Sequence, residues 1–149
     1  MNEINLFRNE YYFLSNFYPC NILYKSKIYP SAEHFFQAIK TKDEKQREYV
    51  RKSKTPKEAK KRGRFVSLRK NWEDIKYDAM NIIVYKKFHQ NKDLQELLLS
   101  TGDATLIEGN YWHDNYWGRC NCHICCDSGQ NNLGIILMNV REKIRNEKS

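Results

Sequence analysis

Proline and glycine are scarce in this chain, with three and six copies among 149 residues. That scarcity excludes a Pro- or Gly-rich linker, and no repeat or low-complexity stretch interrupts the sequence. No apolar run approaches the roughly 20 residues that cross a bilayer, so no membrane-spanning helix is expected. The N-terminus, "MNEINLFRNE", lacks the basic-then-apolar layout of a secretory signal, which points to the cytoplasm. Five cysteines, an odd number without an export signal, argue against a disulfide framework. Acidic residues are outnumbered by basic ones, 18 to 26, leaving a net charge of +8.

What is present is globular. Hydrophobic residues make up 40%, and the length favours one domain, residues 1–149, with a sizeable core. The positive charge is concentrated: Thr41 to Lys70 holds 13 Lys/Arg against 4 Asp/Glu, and the rest of the chain is close to neutral. Such a face attracts phosphate, on a nucleic acid or a nucleotide-like molecule, although a merely solvated helix surface has the same composition. Ten tyrosines offer ring faces with a polar handle.

The pattern of elements is α+β, a predominantly helical single domain with a small antiparallel sheet. "INLFR" and "TLIEG" read as strands, and "NILYKSKIYP" as a hairpin turning at Lys25-Ser26. Ser31 caps a helix that is expected to run from Ala32 into the forties. "TPKEAKKRG" starts a helix at Thr55-Pro56, with Glu58 closing a capping box and Gly63 as the stop. Asn71 caps a long helix whose stripe is Trp72, Ile75, Ala79, Ile82, Ile83 and Phe88. A helix ending at Gly102 follows. The last helix faces Leu133, Ile136, Leu137, Val140 and Ile144 inward.

Two segments carry chemistry. In "YPSAEHFFQAIK", spacings of four and three put Glu33, Gln37 and Lys40 on one helical face. A carboxylate in a first turn is also favoured by the helix dipole alone, and a histidine placed like His34, partly inward, is more often a hydrogen-bonded structural residue than a catalyst. In "NYWHDNYWGRC", aromatic side chains crowd around Asp114 in a loop. This is either a small apolar core under the loop or a pocket wall that stacks a base or sugar. Cleaving a ribosyl C–N bond develops positive charge at the anomeric carbon, which a nearby carboxylate stabilises while another acid assists the leaving group. Glu33 and Asp114 suit that division of labour. A desolvated lysine such as Lys40 could instead attack an opened sugar as a Schiff base.

"YYFLSNFYP", "YPSAEHFFQAIK", "GRFVSLRKNW", "KFHQNKDLQELLLSTGD", "HDNYWG" and "GQNNLGIILMNVR" occur in the order found in the YbiA-like (NADAR) family of N-glycosidases, which this chain resembles from about Ile4 to Arg141. One branch of that family destroys phosphorylated ribosylamino-pyrimidine intermediates of riboflavin biosynthesis, and another removes ADP-ribose from guanine in nucleic acid. The resemblance implies an enzyme without a cofactor, acting on a phosphorylated ribosyl or ADP-ribosyl compound, with ADP-ribosylated DNA or RNA as a further partner. It implies catalytic roles for Glu33, Asp114 and Lys40. It also implies substrate contacts at Arg8, Asn16, Phe17, His34, Gln37, Arg64, Arg69, Trp72, Trp117, Gly118 and Asn131. The indoles would stack, and the guanidinium forks would meet phosphate oxygens. The rival readings are a non-catalytic nucleic-acid binder, with aromatics interleaved on the basic face, and an inactive sensor of ADP-ribose or another nucleotide.

"CNCHICC" departs from the plain family pattern. Cys122 and Cys125 have the two-residue gap of zinc sites, but complete structural sites usually join two such pairs from distant segments. Cys20 is the sole cysteine elsewhere. A reduced, metal-free loop is therefore expected, with zinc on Cys120, Cys122, Cys125 and Cys126, or redox-sensitive disulfides, as the alternatives.

Overall fold

The computed structural model describes residues 2–149, which divide into two compact units. One is the continuous segment Asn16–Asn91, and the other joins the two ends of the chain, Met1–Ser15 and Lys92–Ser149. In chain order the elements are β1 (Glu3–Ile4), a 3-10 turn (Asn9–Leu14), β2 (Ile22–Tyr24), β3 (Lys27–Tyr29), α1 (Ala32–Ala38), α2 (Glu44–Arg51), α3 (Pro56–Gly63) and α4 (Trp72–Gln90). They continue with α5 (Lys92–Ser100), β4 (Thr105–Leu106), β5 (Gly109–Asn110), β6 (Arg119–Cys120) and α6 (Asn132–Glu147). The α+β class and its helical majority follow from this order. No helix among the described residues is long and apolar enough to cross a membrane.

In the central unit, β2 and β3 form the expected antiparallel hairpin, with Ile22 opposite Tyr29 and Tyr24 opposite Lys27. Neither turn residue is glycine, yet Lys25 and Ser26 both adopt positive φ (47° and 66°), as a tight primed hairpin turn requires. Helix α1 is buried all round, from Ala32 to Ala38. It stops there, short of the expected length. The buried Thr41 hydroxyl accepts the Asp43 N–H at 3.1 Å, and the Asp43 carboxylate accepts the Gln46 N–H at 3.0 Å. The segment in the forties is therefore a new helix, α2, with its own cap. Helix α3 begins as expected, with the Thr55 hydroxyl accepting the Glu58 N–H, while the Glu58 carboxylate reaches back to the Lys54 N–H.

Helix α4 departs in two respects. Asn71 occupies the cap position in the left-handed region (φ 61°) and makes no side-chain cap bond. The stripe also turns differently: Ile82 is 53% exposed, while Met80, Val84 and Lys87 are buried with Trp72, Ile83 and Phe88.

In the unit of the two ends, β1 pairs in parallel with β4, and β5 with β6. These are two-residue ladders, so among the described residues antiparallel pairing is found in the hairpin and in one isolated bridge, Cys120 with Ser128. Helix α6 buries all five of its expected core residues. Gly134 lets it approach closely, because a Cβ there would strike the Leu106 carbonyl and the Asn131 side chain.

Candidate active site

Within the central unit, the Ser31 hydroxyl caps α1 by accepting the His34 N–H at 3.1 Å, which starts the helix that carries Glu33 and Gln37 and ends before Lys40. The Glu33 N–H donates to the Asn16 carbonyl at 2.9 Å, tying the acidic residue to the Asn16–Phe17 segment. The Glu33 side chain is 8% exposed, and Gln37 Nε2 donates to its Oε2 at 2.6 Å. That bond orients the Gln37 amide, since a carboxylate oxygen only accepts. Its other end, Oε1, is buried without a hydrogen-bond partner and lies against Gly63.

Lys40, half-buried just beyond α1, has its pKa lowered by desolvation first. The Glu33 charge opposes that shift, while Lys60 and Arg64 add to it. Its ammonium lies 6.0 Å from the centre of the Phe36 ring. The Arg69 N–H donates to the Lys40 carbonyl at 2.7 Å, and Arg69 Nε is buried with no hydrogen-bond partner. Gln37 and Lys40 thus attend the Glu33 carboxylate, while Arg69 is tied to Lys40 through the backbone. Trp72 is buried and packs on Phe36 with ring centres 5.2 Å apart. Arg64 is exposed, and Asn16 donates its side-chain amide to Met80 Sδ at 3.4 Å. Phe17 is half-buried.

His34 faces the other way. Its Nδ1 lies 2.7 Å from Ser31 Oγ and its Nε2 lies 2.9 Å from the Ser53 carbonyl, and burial lowers its pKa. Both ring nitrogens are committed to the protein itself.

In the other unit, Asp114 is half-buried. Its Oδ1 accepts the backbone N–H groups of Trp117 (2.9 Å) and Tyr116 (3.2 Å), a local turn that sets the loop's shape. Asn110, which sequence reasoning did not single out, clamps the same residue. Its amide donates to the Asp114 carbonyl at 2.9 Å and accepts the Asp114 N–H at 3.1 Å. Trp117 is half-buried, edge-on to Tyr116 at 4.7 Å. Gly118 is buried where a Cβ would strike Glu108. Asn131 spends both ends of its amide on backbone, donating to the Leu106 carbonyl and accepting the Glu108 N–H, each at 2.9 Å. Arg8 is exposed, with its guanidinium 6.0 Å from the Tyr111 ring. Gly118 and Asn131 therefore shape the backbone that presents Asp114 and Trp117.

The Cys-rich run gathers differently from the expected set. His113 joins Cys120, Cys122 and Cys125, whereas Cys126 donates its thiol to the His123 carbonyl at 3.1 Å. The Cys125 N–H directed at Cys122 pulls that thiol down to about 6, and hydrogen bonding with Cys120 pushes Cys125 up to about 11. His113 was missed because its link to the run is spatial, seven residues before Cys120 in sequence.

Two clefts have neither Glu33 nor Asp114 in their lining. One of about 320 Å³ is lined by Glu3, Asn5, Ile107, Arg119 and Asp127 among others, and one of about 420 Å³ by Tyr49, Lys57, Lys61, Arg62 and Phe65 among others.

Comparison with known proteins sets the class. The chain is 41% identical over 146 residues to the N-glycosidase YbiA of Escherichia coli, covering 94% of this chain and 86% of that protein. It is 39% identical to an N-glycosidase of Nostoc punctiforme, with coverage of 89% and 85%. A riboflavin biosynthesis protein of Vibrio vulnificus is 38% identical, matching 89% of this chain and 35% of that protein. The solution structure of the Escherichia coli protein YbiA superposes with a TM-score of 0.85 at 38% identity, covering 99% of this chain and 89% of that one. The chain is an N-glycosidase. It belongs to the NADAR family, whose domain model matches residues 5–145.

Proposed function

We propose that the protein hydrolyses the N-glycosidic bond of a phosphorylated ribosylamino-pyrimidine of the riboflavin pathway, with Glu33 as the carboxylate that stabilises the anomeric cation. The observation that carries this reading is the buried Glu33–Gln37 pair with the Lys40 ammonium in its field. A carboxylate held at 2.6 Å by an amide is positioned before substrate arrives, and in a largely desolvated setting its charge acts strongly on a developing cation. The C1–N bond breaks with its electron pair leaving on nitrogen, which takes a proton. A water oxygen adds to C1 and gives up a proton in turn. Asp114, in the other unit, stays a candidate for turnover on its sequence motif, and its own variants test it. Arg69, with its unpaired Nε, and the exposed Arg64 are the phosphate ligands. The names of relatives annexed to riboflavin biosynthesis support the substrate class. Should the sugar ring open, the Lys40 amine, favoured toward its neutral form by burial, would add to C1 and expel the pyrimidine amine, and water would then hydrolyse the resulting Lys40 imine to free the sugar and the lysine.

A second reading, removal of ADP-ribose from guanine in DNA or RNA, is favoured by one surface feature. Within the basic segment Phe65 is 79% exposed and Tyr49 53% exposed, beside the cleft lined by Lys57, Lys61 and Arg62. Aromatic rings on a cationic face suit single-stranded bases.

Released base, measured by chromatography from a phosphorylated ribosylamino-pyrimidine and from ADP-ribosylated guanine DNA side by side, tests both. Faster turnover of the first is expected. Glu33→Gln should cut the rate on the order of 10²–10⁴-fold while leaving the protein folded. Full activity of that variant removes Glu33 from the mechanism, and borohydride trapping of a Lys40 adduct would select the Schiff-base route.

A further inference from the structure

The chemistry proposed above uses none of the thiols clustered beside Asp114. We propose that His113, Cys120, Cys122 and Cys125 bind one structural zinc ion, which pins the loop carrying Asp114 and Trp117. The four ligand atoms lie within 4.8 Å of one another. From His113 Nδ1 the distances are 3.3 Å to Cys125 Sγ, 3.6 Å to Cys122 Sγ and 3.8 Å to Cys120 Sγ. A tetrahedral ion with Zn–S near 2.3 Å and Zn–N near 2.0–2.1 Å sets sulfurs about 3.8 Å apart and the nitrogen about 3.6 Å from each. The observed spacing to the imidazole brackets that value, so small side-chain rotations close the shell.

The ligands come from three places in the chain. His113 sits in the turn before Asp114, Cys120 ends β6, and Cys122 and Cys125 lie on the tight turn that follows. Cys120 is buried and anchored to the backbone by pairing with Asn110 and by its N–H bond to the Ser128 carbonyl. The Cys125 N–H already points at Cys122 Sγ at 3.3 Å, the kind of backbone bond that orients a thiolate ligand. All five cysteines are free thiols, and Cys126 is turned away to His123.

Three soft thiolates and one imidazole select zinc over hard cations such as magnesium or calcium. Four protein ligands leave no open position for water or substrate, which makes the ion structural. Binding holds all three cysteines as thiolates and joins the residue before Asp114 to the strand after Gly118. The left-handed backbone at His113 (φ 69°), Cys126 (53°) and Asp127 (62°) fits a loop held from within by such a cross-link.

The test uses the full chain, purified reduced with zinc in the medium and no chelator. Mass-spectrometric metal analysis should find one zinc per chain, lost in Cys122→Ser, Cys125→Ser and His113→Ala and retained in Cys126→Ser. Because a ligand variant can simply misfold, the wild-type protein stripped of metal is also titrated with cobalt(II) alone. Intense visible bands of tetrahedral cobalt thiolate, saturating at one equivalent and abolished by zinc, are expected. Substoichiometric zinc together with a featureless cobalt titration overturns the proposal. So does a pattern in which Cys126→Ser releases the metal while His113→Ala keeps it. Neither readout involves base release, so the site stands or falls apart from the glycosidase substrate.

Discussion

Gly63→Ala is the most informative single change to the Glu33 surroundings, because it touches no titratable group. Gly63 is the last residue of α3 and is buried, and a Cβ there would strike Gln37 Oε1 and lie 2.8 Å from Gln37 Cδ and 2.9 Å from its Cβ. Alanine ordinarily raises helix stability over glycine by about 1 kcal/mol. Here two losses oppose that gain. Overpacking a filled site costs about 1–3 kcal/mol. Gln37 is 4% exposed and has little room to yield, so its bond to the Glu33 carboxylate is displaced, at about 1.5–3 kcal/mol for a charge-assisted bond. The losses win, and a net destabilisation of roughly 1.5–5 kcal/mol is expected. At this chain length that lowers the melting temperature by on the order of 5–15 °C. Because Glu33 then loses its orientation, the rate of base release should fall by up to about 10²-fold at a temperature where the variant remains folded. Thermal unfolding by circular dichroism and chromatographic turnover read the two effects. Gln37→Ala added to Gly63→Ala removes the Oε1 and Cδ clashes but not that with Cβ, so it should restore part of the stability and none of the activity. A Gly63→Ala protein as stable and as active as the parent refutes the argument that Gln37 is wedged between Gly63 and Glu33.

Burial holds the Lys87 ammonium at about 8 against its usual 10.5, with the Cys20 charge partly opposing. The folded value lies below the unfolded one, so folding gains stability as pH rises from about 8 towards 10.5 and lacks that contribution below 8, a difference of about 3 kcal/mol. Lys87→Met should therefore be more stable than the parent by about 1–3 kcal/mol at neutral pH, with the gap closing by pH 10 in parallel urea titrations. A gap independent of pH would show that Lys87 is charged throughout. Asp114→Asn keeps an oxygen for the Tyr116 and Trp117 N–H groups, whereas Asp114→Ala does not. If the carboxylate takes part in the reaction, both variants lose turnover and only the alanine loses stability, by about 1–2 kcal/mol. Full activity in Asp114→Asn would reduce the residue to a turn former.

Local grammar was legible in the chain. Ser31 and Thr55 were readable as caps because the hydroxyl acts on an N–H three residues on, and the α6 core was readable because a 3.6-residue period needs no partner to be seen. The Glu33–Gln37 spacing belongs to the same category, whereas Lys40 lies beyond the end of α1. Other features stayed hidden because they depend on contacts distant in sequence. The break after α1 turns on Thr41 and Asp43 side chains, residues that are unremarkable in a helical pattern. Lys87 reads as a solvated helix end and is 1% exposed. Asn110 carries no motif, and its clamp on Asp114 exists only once the loop has closed.

By itself, then, the order of residues determined the α+β class, the caps at Ser31 and Thr55, the Glu33–Gln37 spacing on α1 and the motifs shared with the NADAR family, because each is written in spacings of a few residues or in residue types kept in register. Tertiary structure alone decided which polar groups are desolvated and which atoms meet. It put Gln37 between Glu33 and Gly63, spent both nitrogens of His34 on the protein, and brought His113 to three cysteines. Burial and ligand geometry are properties of surfaces brought together by packing, and the one-dimensional chain does not carry them.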